Sequence, residues 1–380
     1  MLVIPYFMLF MFFYFSFLIN EDKKKTEFAI SLKYFSILYL IIFIGFRGFV
    51  STDWYSYYPF YENLDVWREI DLKYLGSFGW EIGIPFFMFI TKKIGLDYFG
   101  FCFISSMIDI IVISYFLSKY SKNFYLSLIF FILYGGLTME FNLLRNCKAI
   151  DLFLLSLEFL NKKQWKYFLL NICGYIFHTS AIFFILFFFI YHIDIIRHRK
   201  LILWLWIIGL IIYVLKIQYI NVFLNSIADF LPGRMRWLIK RYTIFNDKLQ
   251  SYGFGLGFIE RMFSFIFFYK YQDCLIKEDK NNKIFYTMAY FYFFIFLYFA
   301  EIFEIVSRLA VFTGFGYWII FPALFDKVKS KKIFFIILTL YSLLKIYAVF
   351  GNDLSLQYEN VLFGAQSYNE RLINNLKFRL

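Results

Sequence analysis

Three stretches of this 380-residue chain place side chains capable of chemistry inside otherwise apolar sequence. The first is Arg47-Gly-Phe-Val-Ser-Thr-Asp53-Trp54-Tyr55-Ser-Tyr57-Tyr58-Pro-Phe-Tyr61. If its second half is helical, Asp53, Tyr57 and Tyr61 recur at i, i+4 and i+8 and share one face. A cation, a carboxylate and phenols then meet at a membrane surface, although an interfacial aromatic belt with an Arg anchor has the same composition. The second is Glu140-Phe-Asn142-Leu-Leu-Arg145-Asn146-Cys-Lys148-Ala-Ile-Asp151, where helical spacing puts two cations and a carboxylate on one face. A snorkelling Arg does not account for Glu140, Asn142, Asn146 and Asp151 beside it, and ionisable residues at membrane depth read as functional by default. The third holds His178, in Tyr-Ile-Phe-His178-Thr-Ser-Ala. It is a candidate acid, base or hydrogen-bond donor, with a satisfied packing histidine as the competing reading.

Other groups are weaker. Asp109 falls near the middle of an apolar run, where a carboxylate costs about 2.5–3.5 kcal/mol and must be protonated, paired or turned to a polar cavity. Glu69-Ile-Asp71 offers two hard oxygen ligands, with solvated loop residues as the plainer reading. Arg234, Arg236, Lys240 and Arg241 form a basic amphipathic pattern that calls for phosphate or anionic headgroups. The following Gly253-Phe-Gly255-Leu-Gly257 lacks the strand context of a dinucleotide fingerprint and reads as a turn. Glu301, Glu304 and Arg308 stand at i, i+3 and i+7, either a salt bridge closing a helical hairpin or part of a site. No His pattern has metal-ligand spacing, and Cys102, Cys147, Cys173 and Cys274 contain no C-x-x-C. Neither a metal nor a cofactor is expected.

The elements that must position these residues are membrane helices. Hydrophobic residues are 61% of the chain, aromatics 26% and charged residues 17%, against about 25% charged in soluble domains. The net charge of +12 lies in short clusters between apolar runs and so reads as topology signal, not as a nucleic-acid surface. An all-α polytopic integral membrane protein follows, a single membrane domain over 1–380 with about 10–12 transmembrane or re-entrant helices. Segments long enough to cross run 2–19, 28–46, 98–117, 124–141, 145–160, 201–217, 258–274, 285–302, 308–325 and 333–350. Leu2 to Ile19 has no basic n-region or small-x-small site and reads as a retained helix. Segments 80–95 and 165–191 either cross or lie re-entrant. The positive-inside rule favours neither crossing, which leaves Lys119, Lys122, Lys162, Lys163 and Lys166 inside and Lys92, Lys93, Arg145 and Lys148 outside. In both arrangements 47–79, 218–257 and 351–380 face outward, and a chemical site has room to form there.

Arg47-x(5)-Asp53-Trp-x-x-Tyr57, Trp80-Glu81-x-Gly83, Asn142-x-x-Arg145-Asn146, Phe177-His178-Thr-Ser-Ala181 and the late Ser307-Arg308 occur in one order along residues 40–325. This set resembles the EpsG-type polysaccharide polymerases, a group that includes many Wzy O-antigen polymerases. It departs at Asn146, where the family often has Gln or another polar residue. The resemblance implies a GT-C-like glycosyltransferase architecture in the bacterial inner membrane, active on the periplasmic face. The implied reaction is inverting transfer of a glycan from undecaprenyl pyrophosphate to the terminal sugar of a lipid-linked repeat unit. Its implied partners are that lipid-linked oligosaccharide, membrane lipids and a chain-length regulator protein, with no nucleic acid.

A pyrophosphate leaving group needs cations, and Arg offers a planar fork to phosphate oxygens. Arg47, Arg145, Lys148 and Arg308 are the candidates. Asp53 or Glu140 is expected to accept the acceptor proton, with His178 as alternative or orienting partner. Tyr57, Asn142, Arg234, Arg236 and Glu304 are additional candidate substrate contacts. An O-antigen ligase uses the same donor but usually carries one large late periplasmic loop, larger than 218–257. A flippase or transporter would show an internal repeat, and none is found.

Overall fold

The computed structural model describes residues 3–22, 27–66, 79–230, 232, 233, 236, 237 and 253–379. Within them the chain is helical, with no β-strand and one isolated antiparallel bridge between Arg47 and Asn360. It is an all-α polytopic membrane protein. Two compact units are formed, Met1–Ile190 with Phe325–Leu380, and Tyr191–Leu324.

In the first unit, α1 (Ile4–Asp22) and α2 (Glu27–Gly45) are followed by the short helices α3 (Trp54–Asn63) and α4 (Gly83–Lys93). Next come α5 (Tyr98–Tyr120), α6 (Phe124–Leu133), α7 (Gly136–Asn142), α8 (Leu144–Ser156), α9 (Gln164–Phe177) and α10 (Ala181–Tyr191). Polar caps fix where the apolar runs begin. The Asp97 carboxylate accepts from the Gly100 N–H at 2.7 Å to start α5, and the Asn123 side chain accepts from the Leu126 N–H at 3.1 Å to start α6.

Helices α1, α2, α5 and the late Lys331–Phe350 are each long and apolar enough to cross a bilayer. The number rises to six if each of two bent pairs is one span. One pair is α6 with α7, bent by 59°. Gly135 makes that bend at φ +84°, a left-handed conformation that glycine adopts without Cβ strain. The segment 258–274 lies within one unbroken helix, Leu256–Glu278, and the segment 145–160 holds a 13-residue helix that ends at Ser156.

Neither ambiguous segment forms a single helix long enough to cross on its own. Residues 80–95 contain only the 11-residue α4, about 16 Å of helix against a core of about 30 Å. Residues 165–191 break at His178–Ser180 and fold back: the rings of Phe168 and Phe188, ten residues either side of His178, stand 4.8 Å apart. The result is a helical hairpin whose arms are each too short to cross, with His178 at its tip.

In the second unit α11 (Arg199–Val214) bends by 78° into α12 (Tyr219–Ala228). Then follow α13 (Leu256–Glu278), α14 (Asn282–Tyr298), α15 (Phe303–Thr313) and α16 (Phe315–Phe325), so the segment read as one span over 308–325 is interrupted at Gly314. The long α17 (Lys331–Phe350) belongs to the first unit, as does the tail with its terminal helix α18 (Tyr368–Arg379).

Candidate active site

The three sequence stretches meet at one end of the first unit, around Arg145. Its Nε donates to the Tyr57 hydroxyl at 2.8 Å and its Nη1 to Glu81 Oε2 at 2.5 Å. The guanidinium carbon stands 5.7 Å from the Trp80 ring centre, within cation–π range. Local sequence explains each partner. Tyr57 lies one turn into α3 and is buried, with Asp53 at the residue preceding that helix. Trp80 packs on Tyr57 and Phe60, at 4.8 and 5.1 Å between ring centres. The Arg145 side chain is 24% exposed, and its Nη2 makes no hydrogen bond among the described residues.

Glu81 joins Arg145 to the hairpin tip, since its Oε1 accepts from the Thr179 backbone N–H at 2.9 Å. Gly83 makes this approach close enough: a Cβ there would lie 2.7 Å from the Phe177 ring and 2.8 Å from the Ile176 carbonyl. Burial by itself would raise the Glu81 carboxyl. The Thr179 N–H, its own backbone N–H and the nearby His178 and Arg145 outweigh burial and hold it below the usual carboxylate range. Burial, aided by the Asp53 charge, instead pushes the Tyr57 phenol up, so it faces Arg145 as a neutral hydroxyl. At the tip His178 Nδ1 accepts from the Ser180 N–H at 3.1 Å and lies 2.6 Å from the Ser180 hydroxyl. A neutral imidazole accepting at Nδ1 carries its proton on Nε2. His178 is thereby set up as a donor.

Lys148, one turn along α8 from Arg145, has the opposite surroundings. It is buried, donates to the Ser105 carbonyl at 2.7 Å and forms an ion pair with Asp109. Glu140 and Asp151 are also buried, close to Asp109 and Lys148. Asp109, Glu140 and Cys147 bring one potential ligand atom each within 4.8 Å of one another. Asp109 already holds the Lys148 ammonium, and the Cys147 thiol donates to the Met139 carbonyl at 3.4 Å. This group lies inside the helix packing and the Arg145 group lies at its edge.

Arg47 is 5% exposed. Its Nη1 donates to the Ile44 carbonyl at 2.8 Å and the Ser106 hydroxyl at 2.7 Å, which ties the end of α2 to α5. Asn142 accepts from the Thr52 hydroxyl at 2.8 Å, so the break after α7 is pinned to the loop before α3. Beside Trp80 an open groove of about 300 Å³ is lined by Ser56, Pro59, Phe60, Asn63 and Trp80. In the second unit the Arg236 Nη2 donates to the Asp229 carbonyl at 2.6 Å, at the C-terminal end of α12. Glu301 accepts from the Ile220 and Asn221 N–H groups at 2.9 and 2.8 Å and caps the start of the same helix. Arg234, the Glu69/Asp71 pair and the side chains of Glu304 and Arg308 lie outside the described residues.

The model of the EpsG family matches residues 30–360. The chain belongs to the EpsG family. This is the family of Wzy-type polysaccharide polymerases. No curated protein and no solved structure matches it. The family match takes in Arg145, Tyr57, Glu81 and His178, and it ends before the terminal helix α18. Spacing arguments assign no role to Glu81. Glu81 stood in the Trp80-Glu81-x-Gly83 motif without a role, although a lone acid at a helix start facing a lone Arg elsewhere was a usable signal.

Proposed function

We propose that this EpsG-family polymerase transfers a glycan from undecaprenyl pyrophosphate to the terminal sugar of a lipid-linked repeat unit, on the periplasmic face of the inner membrane. The observation that carries the reading is the partly exposed Arg145 guanidinium, oriented by Tyr57 and Glu81 in the first unit, where the predicted outer segments 47–79 and 351–380 bond to each other. In an inverting transfer the acceptor hydroxyl attacks the anomeric carbon and the pyrophosphate leaves with growing negative charge. Arg145 stabilises that charge with a bond that strengthens in the transition state. The His178 Nε2–H adds a second donor at the same end. Asp53 takes the acceptor proton, because it lies beside Tyr57 at this edge while Glu140 is enclosed with Asp109 and Cys147. Trp80 and Phe60 offer apolar faces in the groove for a sugar ring, with Ser56 and Asn63 at its polar margin.

Deleting the gene and examining the lipopolysaccharide tests this reading. A single repeat unit on the lipid core, restored to a ladder by the wild-type chain, is the result expected. A core with no repeat unit would instead place the chain among ligases or flippases.

A further inference from the structure

The tail beyond the family match is bonded to the loop that carries the site. Arg371, on α18, is 1% exposed and all its acceptors are supplied by the chain around residues 49 and 354–359. Its Nε donates to the Phe49 carbonyl at 3.0 Å. Nη1 donates to Gln357 Oε1 at 3.3 Å and Glu359 Oε1 at 3.2 Å. Nη2 donates to the Leu354, Ser355 and Gln357 carbonyls at 3.1, 3.3 and 2.9 Å. Only a planar fork reaches acceptors on so many sides, and a lysine ammonium does not.

What this holds is a strained turn. Ser51 has φ +71°, a left-handed conformation uncommon outside glycine. Its N–H donates to the Ser355 carbonyl at 2.7 Å and its carbonyl accepts from the Trp54 indole at 2.9 Å. Gly48 donates to the Glu359 carbonyl at 2.8 Å and Val361 to the Phe46 carbonyl at 2.8 Å. Tyr368 then stacks on Tyr58 at 4.9 Å and meets Trp54 edge-on at 5.4 Å. The turn at Ser51 sets the start of α3, and α3 carries Tyr57 to Arg145.

We propose that Arg371 is a positioning residue: through the Ser51 turn and α3 it sets Tyr57, and so the aim of the Arg145 guanidinium. The consequence for turnover rests on the glycosyl-transfer reading above; the consequence for the loop does not. Two measurements keep them apart. The first is hydrogen–deuterium exchange on the purified full chain in detergent, comparing wild type with Arg371→Gln and Arg371→Lys. Faster exchange at residues 48–57 in both variants, with exchange in α5 unchanged, is expected. Unchanged exchange at 48–57 overturns the proposal whatever the enzyme's reaction.

The second is polymerisation in membrane vesicles, with lipid-linked repeat units extracted from a polymerase-deletion strain as the probe, normalised to protein amount. Both Arg371 variants should lose about 10- to 100-fold in kcat with KM within about twofold. Combining Arg371→Gln with Tyr57→Phe should lose little more than the worse single change, because both act on one alignment. Additive losses, or full rescue by Arg371→Lys, overturn it. If Arg371→Gln accumulates poorly, Glu359→Gln weakens the same clamp and should show the same kcat pattern at about 3- to 10-fold; an unchanged kcat there also overturns it. Wild-type vesicles that make no polymer would count against the function and leave the exchange result to decide the clamp.

Discussion

Arg145 and Lys148 stand one turn apart on α8, yet their surroundings differ in every respect that matters for chemistry. Arg145 faces one carboxylate, a neutral phenol and an indole, with a quarter of its side chain exposed. Lys148 is enclosed among three carboxyl groups and a thiol. A cation at an edge can meet a substrate and change its bonding during a reaction. A buried cation mainly compensates the groups around it, and removing either partner leaves a charge in apolar packing. The same sequence spacing therefore produces one group suited to catalysis and one suited to holding helices together.

The sharpest way to break this contrast is through stability. Asp109→Leu should strand the Lys148 ammonium and destabilise the protein by about 3–5 kcal/mol, seen as lost abundance and a lower Tm in detergent. The double change Asp109→Leu with Lys148→Met should recover much of that loss, since it replaces the pair with apolar volume. A well-folded, stable Asp109→Leu single variant would mean that the interior group is not structural.

At the edge the effects should fall on rate. Tyr57→Phe removes the bond that orients the Arg145 guanidinium, so turnover per folded molecule should drop by roughly 10- to 100-fold, well beyond what any fall in Tm accounts for. A fall in Tm with unchanged turnover per folded molecule would move Tyr57 to the structural side.

Glu81 gives the smallest effect and a pH signature. Its folded carboxyl titrates below the usual range, so its contribution to stability is fully present above the ordinary carboxylate pKa of about 4.3. It is lost as pH falls through the lower folded value. The Tm gap between wild type and Glu81→Gln, worth about 1 kcal/mol for this partly exposed ion pair, should stay constant from pH 8 to pH 5 and close only in stronger acid. A gap that closes by pH 5 would show that Glu81 is not held in its charged form.

Much of this was legible in the residues. Helical periodicity places Asp53, Tyr57 and Tyr61 together, whereas the length of 165–191, long for one span and short for two, leaves open whether it crosses. Charge density around 140–151 draws attention to this helix but does not separate Arg145 from Lys148, because spacing of i, i+3 assigns a face and says nothing of depth. Depth is set by partners far away in sequence, Asp109 for one and Glu81 for the other. Arg47 reads in sequence as the twin of Arg145; its bonds to Ile44 and Ser106 make it an anchor between helices. The role of the tail was hidden for a related reason. Its contacts to residues 46–51 are mostly backbone hydrogen bonds, which leave no pattern in side-chain types.

The central claim is that Arg145 does the chemistry, and Arg145→Lys tests it most directly. The lysine keeps the charge and can snorkel equally well, but it lacks the fork that bonds Tyr57 and Glu81 while reaching a phosphate. Expressed in the deletion strain at wild-type abundance, this variant should lose about 2–4 kcal/mol of transition-state stabilisation, roughly 30- to 1,000-fold in rate, and its lipopolysaccharide should collapse to single repeat units. A full-length ladder from Arg145→Lys would contradict the account.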